Sequence, residues 1–233
     1  MSVSRKGLFA KGGRRAAFLA AAGLGACALL AACGPVQAGA AAIVGDQRIT
    51  TSALDTQVSN LQEAVKPYGT SLPITTAQMP ADVLSWMIRF EVTDQLAAAH
   101  GIDVTDAQAE AGLNSLTSVA QQNGFTSTDE LLVANGVPPQ MFGQVGRWEA
   151  QQDAFARKQN GGKEPTTTAE QSAFTAAYTK AQCEAAKSLN IKVSPQYGRL
   201  DYTQLAVVAA ADTLSRPAGT PSPASTQGLV PAC

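Results

Sequence analysis

The chain has 233 residues, of which 45% are hydrophobic and 15% charged, a composition typical of a globular protein and not of a fibrous or disordered one. The formal net charge is −1, and residues 1–32 contain five basic and no acidic side chains, so the rest of the chain is acidic. An acidic body lacks the basic surface that binds phosphate, which excludes nucleic acid as the expected partner. Alanine is abundant, and it favours helices.

Residues 1–32 are predicted to be an export signal, because a basic start leads into an apolar run over residues 16–32, at the short limit for a membrane span. The run ends in Leu30-Ala31-Ala32-Cys33-Gly34, which resembles the lipobox of bacterial lipoproteins. That resemblance implies cleavage before Cys33, acylation of its thiol and a protein anchored by lipid on the extracytoplasmic face of the cell membrane. Residues 33–40 then form a tether. Cys27 is a less suitable site, and an ordinary signal peptide or an uncleaved anchor are the alternatives.

The first predicted elements are two short strands around Gly45-Asp46, with glycine where a type II′ turn needs it. A helix follows, with Ser52-x-x-Asp55 as its start and Leu54, Val58, Leu61 and Val65 on one face. Three prolines and four Ser or Thr in residues 67–80 predict a connecting loop.

The next predicted helix covers about residues 81–100 and ends before Gly101. One apolar stripe consists of Leu84, Met87, Ile88, Val92 and Leu96, and a second of Val83, Trp86 and Phe90. A helix that is apolar on two faces is either covered on both sides or leaves one face for a client protein.

Capping residues and glycines delimit the remaining helices. Thr105 begins a helix over about 106–122 with Leu113, Leu116, Val119 and Ala120 inward, and Thr126-x-x-Asp129 opens a short one. Two more are predicted at about 139–159 and from Thr167 to about Leu189, followed by a strand at 191–193. Residues 201–212 fit a short helix or a strand, and residues 213–233 have the composition of a disordered tail rich in Pro, Ala, Ser and Thr.

Three segments in this order carry a resemblance: Ala-Ala-Ile-Val-Gly-Asp-Gln-Arg-Ile-Thr from Ala41, the helix end from Leu96 through Gly101, and Gln-Asn-Gly-Phe-Thr from Gln122. The chain resembles the N-terminal chaperone domain of SurA and PrsA-type foldases over residues 41–159, with residues 166–198 as the closing helix and strand. The resemblance implies a mainly α fold of about six helices, with a small β element that pairs strands near both ends of a core over residues 41–200.

The resemblance does not include an isomerase domain. Family members with isomerase activity insert a parvulin domain before the closing helix. Residues 160–165 occupy that place here and are too few to form one. The resemblance therefore implies a chaperone core without the isomerase, and prolyl isomerase activity is the least favoured alternative.

Catalytic chemistry is not indicated by the side chains. His100 is the single histidine and stands at a predicted helix end, which leaves no Ser-His-Asp or Cys-His set and no zinc ligand set. No catalytic residue, metal or cofactor is expected. Cys183 and Cys233 either form a disulfide, as an oxidising compartment allows, or stay separate.

The leading functional hypothesis is a lipid-anchored holdase that binds unfolded or nascent exported polypeptides through apolar side chains on a helical frame. The candidate client-binding residues are Trp86, Met87, Phe90, Met141, Phe142 and Trp148. A lipid-anchored module that binds one specific envelope partner is the alternative.

Overall fold

The computed structural model describes residues 38–69 and 71–209, and the predicted signal peptide and tail lie outside them. Two strands begin this part, β1 (Ala40–Val44) and β2 (Gln47–Thr50). Six α-helices follow: α1 (Thr51–Val65), α2 (Met79–Ala99), α3 (Asp106–Gln122), α4 (Thr128–Ala134), α5 (Phe142–Gln159) and α6 (Thr168–Ser188). Three short strands end it, β3 (Lys192–Val193), β4 (Arg199–Asp201) and β5 (Ala206–Val208). The predicted mainly α fold with six helices and a small β element is confirmed.

A three-stranded antiparallel sheet joins the two ends of this core in the order β2-β1-β3. Ala42 lies opposite Val193 and Ile43 opposite Lys192, so the strands near both ends pair as expected. Of the two residues that turn the chain from β1 to β2, Gly45 has a positive φ of 58° and Asp46 does not, as the expected type II′ turn requires. The Gly45 N–H also donates to the Leu189 carbonyl at 2.8 Å, which ties the end of α6 to the hairpin.

Helix α2 forms the centre of the core, and several elements pack around its two apolar stripes. It packs against α1, α5, α6, β1 and β5. Val83, Leu84, Ile88 and Val92 are completely buried, and Phe90 and Leu96 nearly so. Both stripes of this helix therefore serve mainly as core.

Helices α3 and α5 cross at two glycines, Gly112 and Gly146. A Cβ at Gly112 would collide with the Gly146 carbonyl oxygen, and a Cβ at Gly146 with the Ala109 carbonyl oxygen. The two backbones touch because neither glycine carries a side chain, so the closeness of the crossing depends on both.

Strands β4 and β5 form a separate antiparallel hairpin, which identifies residues 206–208 as a strand. Leu205 is only 1% exposed and inserts into the main core. The Val207 N–H donates to Oγ of Ser85 at 2.8 Å, and this hydroxyl in turn donates to the Ala81 carbonyl at 2.6 Å. Ser85 is buried in α2, so its hydroxyl joins the hairpin to the central helix.

Three details differ from the sequence-based expectations. The N-cap of α1 is Thr50, whose Oγ1 accepts the Ala53 N–H, and not Ser52. The N-cap of α4 is Ser127, while the Glu130 carboxylate reaches back to Thr126. Val119 is 41% exposed and not inward, although it lies two turns from Gly112 on the same face of α3.

Candidate functional site

The six proposed client-binding residues lie on α2, on α5 and on the single turn of 3-10 helix before α5. Phe90 and Met141 belong to the buried core, with 6% and 2% of their surface exposed. Trp86, Met87, Phe142 and Trp148 are half-buried and pack on that core. We call these four residues the α2–α5 surface. In this conformation a client could touch these four side chains but not Phe90 or Met141.

Trp86 is fixed in the α2–α5 surface by contacts on several sides. Its ring lies edge to face with Trp148, with centroids 5.6 Å apart, and is tilted against Phe90 at 5.7 Å. The guanidinium of Arg89 lies 4.5 Å from the ring centroid, in cation–π contact. The indole N–H donates to the Asn135 carbonyl at 2.8 Å. The ring is thus held in one orientation, so the surface that it offers is largely preformed.

Three buried polar atoms lie beneath this surface, where α2, α5 and α6 meet. They are Oγ1 of Thr93, Nε1 of Trp148 and the hydroxyl of Tyr178. The Tyr178 hydroxyl interacts with both Thr93 and Trp148, but none of these contacts has the geometry of a full hydrogen bond. Burial raises the pKa of Tyr178 to about 12. These atoms belong to the interior, so they mark polar packing between three helices and do not present a catalytic group to a substrate.

Carboxylates on α5 and α2 form the charged part of the same region. Burial, with Asp153 one turn away, raises the pKa of Glu149 to about 7, and Glu149 packs against Gly112 at the α3–α5 crossing. Asp94 accepts from Nε2 of Gln151 at 2.7 Å and lies 3.8 Å from Nε of Arg147. Because Glu149 lies within a helix contact, its protonation is expected to affect stability and not a reaction.

The other residues named from the sequence have structural positions or lie outside the described part. His100 ends α2, its ring contacts Phe155 with centroids 5.0 Å apart, and its carbonyl accepts from Lys158. Cys183 is buried on α6 and is disulfide-bonded. Cys233, with which the sequence left a pairing open, and the predicted lipidation site Cys33 both lie outside the described residues.

Sequence reasoning did not identify a groove of about 440 Å³ between β3 and the β4–β5 hairpin. We call it the edge groove, and it is lined by Ile191, Val193, Pro195, Gly198, Arg199, Leu200 and Tyr202. The available signal was the alternation of residues 191–193, which predicted a strand but not which of its edges stays open. The groove exists because β3 and β4 adjoin without pairing.

Within residues 38–69 and 71–209, none of the helices combines the length and the apolar character needed to cross a membrane. The same part of the chain contains no group of three or more His, Cys, Asp or Glu side chains that could hold a metal ion.

Comparison with known proteins gives one family match. The family described as SurA-like N-terminal domain matches residues 16–155, which is more than half of the chain. Neither the comparison with curated proteins nor that with solved structures gives a match. The helical body, the sheet that closes it and the extent of this match together show that the chain belongs to the SurA-like N-terminal domain family, a chaperone-type domain family.

Proposed function

We propose that the protein is a lipid-anchored extracytoplasmic holdase, which binds unfolded exported polypeptides and does not isomerise prolines. The observation that carries the proposal is the family match over residues 16–155. The α2–α5 surface adds to it, because partly exposed Trp, Phe and Met side chains make weak contacts with many sequences. Binding of this kind needs no catalytic group. The connection between α5 and α6, residues 160–167, leaves no room for a parvulin domain.

The lipid anchor is part of the proposal and accounts for the cysteines. Cys27 would leave with the signal, and an acylated Cys33 has no thiol to oxidise. Cys233 is then the cysteine left to pair with the disulfide-bonded Cys183. Intact mass of the membrane-extracted protein should show acyl chains on a peptide that begins at Cys33, and non-reducing peptide mapping should recover Cys183 linked to Cys233. An uncleaved N-terminus would contradict the anchor.

The test of holdase activity is suppression of aggregation, followed by light scattering of a chemically denatured test enzyme. The full chain is placed in lipid nanodiscs, and empty nanodiscs serve as the blank. We expect suppression at a few-fold molar excess. The variants Met87→Ser and Phe142→Ser should weaken it, because both side chains lie on the α2–α5 surface. The matched control is Val119→Ser, which changes an exposed apolar residue elsewhere. No suppression by the wild type would refute the proposal.

A second candidate, a module for one specific envelope partner, is favoured by one observation. Among the described residues, Val119 is the single large hydrophobic residue in the exposed class, at 41%, so little apolar surface is openly available for promiscuous contacts. If the wild type fails to suppress aggregation but one protein co-purifies in fixed ratio, and Phe142→Ser removes it, this candidate replaces the holdase.

A further inference from the structure

Strand β3 is an edge of the three-stranded sheet. It pairs with β1 on one side, and on the other side no described strand pairs with it. Edge strands carry unpaired backbone N–H and C=O groups, which can pair with another extended chain.

The register shows which groups of β3 face outward. The Ser194 N–H donates to the Ala41 carbonyl at 2.8 Å, and Ala42 lies opposite Val193. Hydrogen-bonded and non-hydrogen-bonded pairs alternate along an antiparallel ladder, so Val193 belongs to a non-hydrogen-bonded pair. Its N–H and C=O therefore point away from β1, and no described backbone group pairs with them. Together they offer one complete pair of hydrogen bonds to an extended chain.

Apolar side chains border these two open groups. Ile191, Pro195, Leu200 and Tyr202 line the edge groove together with Val193. The Tyr202 hydroxyl lies 3.5 Å from the Ile191 carbonyl, the previous outward group of the strand. An extended chain that pairs with Val193 would thus place alternate side chains on an apolar wall.

The charges at the groove favour one class of occupant. Arg199 is exposed and lines the groove, and no carboxylate is among the lining residues. The nearest carboxylate in sequence, Asp201, accepts from the N–H and the hydroxyl of Thr203, and these bonds lower its pKa more than the nearby Arg199 does. A bound chain that carries an acidic residue would therefore meet the exposed Arg199 guanidinium in a groove whose lining carries no anion.

We propose that an extended, apolar segment of an unfolded polypeptide, with an acidic residue, binds the edge groove by adding a strand to β3. This inference rests on the proposed holdase function and names how that function holds a client. The protein's own residues 210–233 are the poorer occupant, because they contain four prolines and proline disrupts strand pairing. A two-residue edge forms few bonds, so the binding is weak and tolerant of sequence.

The experiment measures fluorescence anisotropy of a fluorescein-labelled peptide, Val-Thr-Val-Glu-Val-Thr-Val, with the full chain in nanodiscs. The comparison peptide has the same sequence with alternate backbone nitrogens methylated, which removes N–H donors and keeps the side chains. We expect the methylated peptide to bind about fivefold more weakly or worse, as the loss of a hydrogen bond implies.

Two variants at position 193 test the same hydrogen bonds by changing the protein in place of the peptide. Val193→Pro removes the outward N–H but leaves the ladder bond of Ser194, and Val193→Thr keeps the N–H and the shape. We expect Val193→Pro to weaken binding about fivefold and Val193→Thr to bind as the wild type does. Arg199→Glu should reverse the preference for this peptide over one with Lys in place of Glu.

Equal binding of the methylated and unmethylated peptides by the wild type would overturn the inference, and this contrast stands even if Val193→Pro fails to fold. A photo-crosslinker at position 195 that captures residues 210–233 in place of the peptide would also overturn it. Aggregation suppression, measured on the same samples, separates the two proposals. If the wild type suppresses aggregation but binds both peptides equally, the holdase function stands and strand addition at β3 is rejected. If it binds the methylated peptide more weakly but does not suppress aggregation, strand addition stands and the holdase function is rejected.

Discussion

Replacing Glu149 with glutamine should abolish a pH dependence of stability that the wild type shows between about pH 4.5 and 7. Burial raises the pKa of Glu149 from 4.5 to about 7 in the folded protein. Between these two values the folded state binds more protons than the unfolded state. The free energy of unfolding therefore falls as the pH rises through this window, and the dependence on Glu149 stops above it.

The size of the effect follows from the pKa difference. A shift of about 2.5 pH units corresponds to about 3 kcal/mol, an upper figure because the neighbouring Asp153 also has a raised pKa and shares the interaction. Glutamine keeps the volume and carries no charge. At pH 8 the variant Glu149→Gln should be more stable than the wild type by up to about 3 kcal/mol, and at pH 4.5 the two should be nearly equal.

The assay is urea unfolding followed by tryptophan fluorescence at pH 4.5, 6, 7 and 8, with linear extrapolation to water. The control is Glu184→Gln, which changes an exposed carboxyl on α6 that pairs loosely with Lys180 at 3.9 Å. It should change stability by less than about 1 kcal/mol at any pH. If Glu149→Gln follows the wild type at every pH, Glu149 is ionised at ordinary pH and its placement at the helix crossing is wrong.

Three further substitutions test the packing of the core. Gly112→Ala should lower the unfolding free energy by about 1–3 kcal/mol, because the new Cβ would force α3 away from α5. The control in urea unfolding is Gly143→Ala, which has open space around it on α5 and should have no such cost. Ser85→Ala should cost about 1–3 kcal/mol, since the buried Val207 N–H loses its acceptor, and hydrogen exchange should show faster exchange in β5. Thr167→Ala should cost about 1 kcal/mol by removing the N-cap of α6, with Thr175→Ala in the same helix as the control in thermal melts.

The sequence identified those elements whose boundaries are set by local chemistry. The capping boxes at Thr105 and Thr167 and the glycine after α2 placed three helix ends within two residues, since a cap acts on N–H or C=O groups in its own turn. At the start of α1 the choice of Ser52 was wrong, because Thr50, two residues earlier, is the N-cap.

Features that depend on contacts between distant segments could not be predicted in this way. Neither Gly112 nor Gly146 is marked by its neighbours as a crossing point, because both lie within ordinary helical sequence. Residues 206–208 form a strand because residues 199–201 return beside them, and the apolar run itself is too short to reveal that. Phe90 and Phe142 look alike in sequence, yet α5 and its neighbours bury the first and leave the second partly exposed.

The positions of the two tryptophans determine which substitutions can test client binding. Trp86 holds the Asn135 carbonyl, Arg89 and Trp148 in place, so its removal would damage the core together with any client contact. Lost activity in Trp86→Ala would therefore not distinguish binding from folding. Met87 and Phe142 have neither a side-chain hydrogen bond nor a ring contact among the described residues, and both reach solvent. Serine at either position should lower aggregation suppression with a smaller loss of stability than Trp86→Ala causes. A large loss of suppression for a small loss of stability identifies a residue that contacts the client.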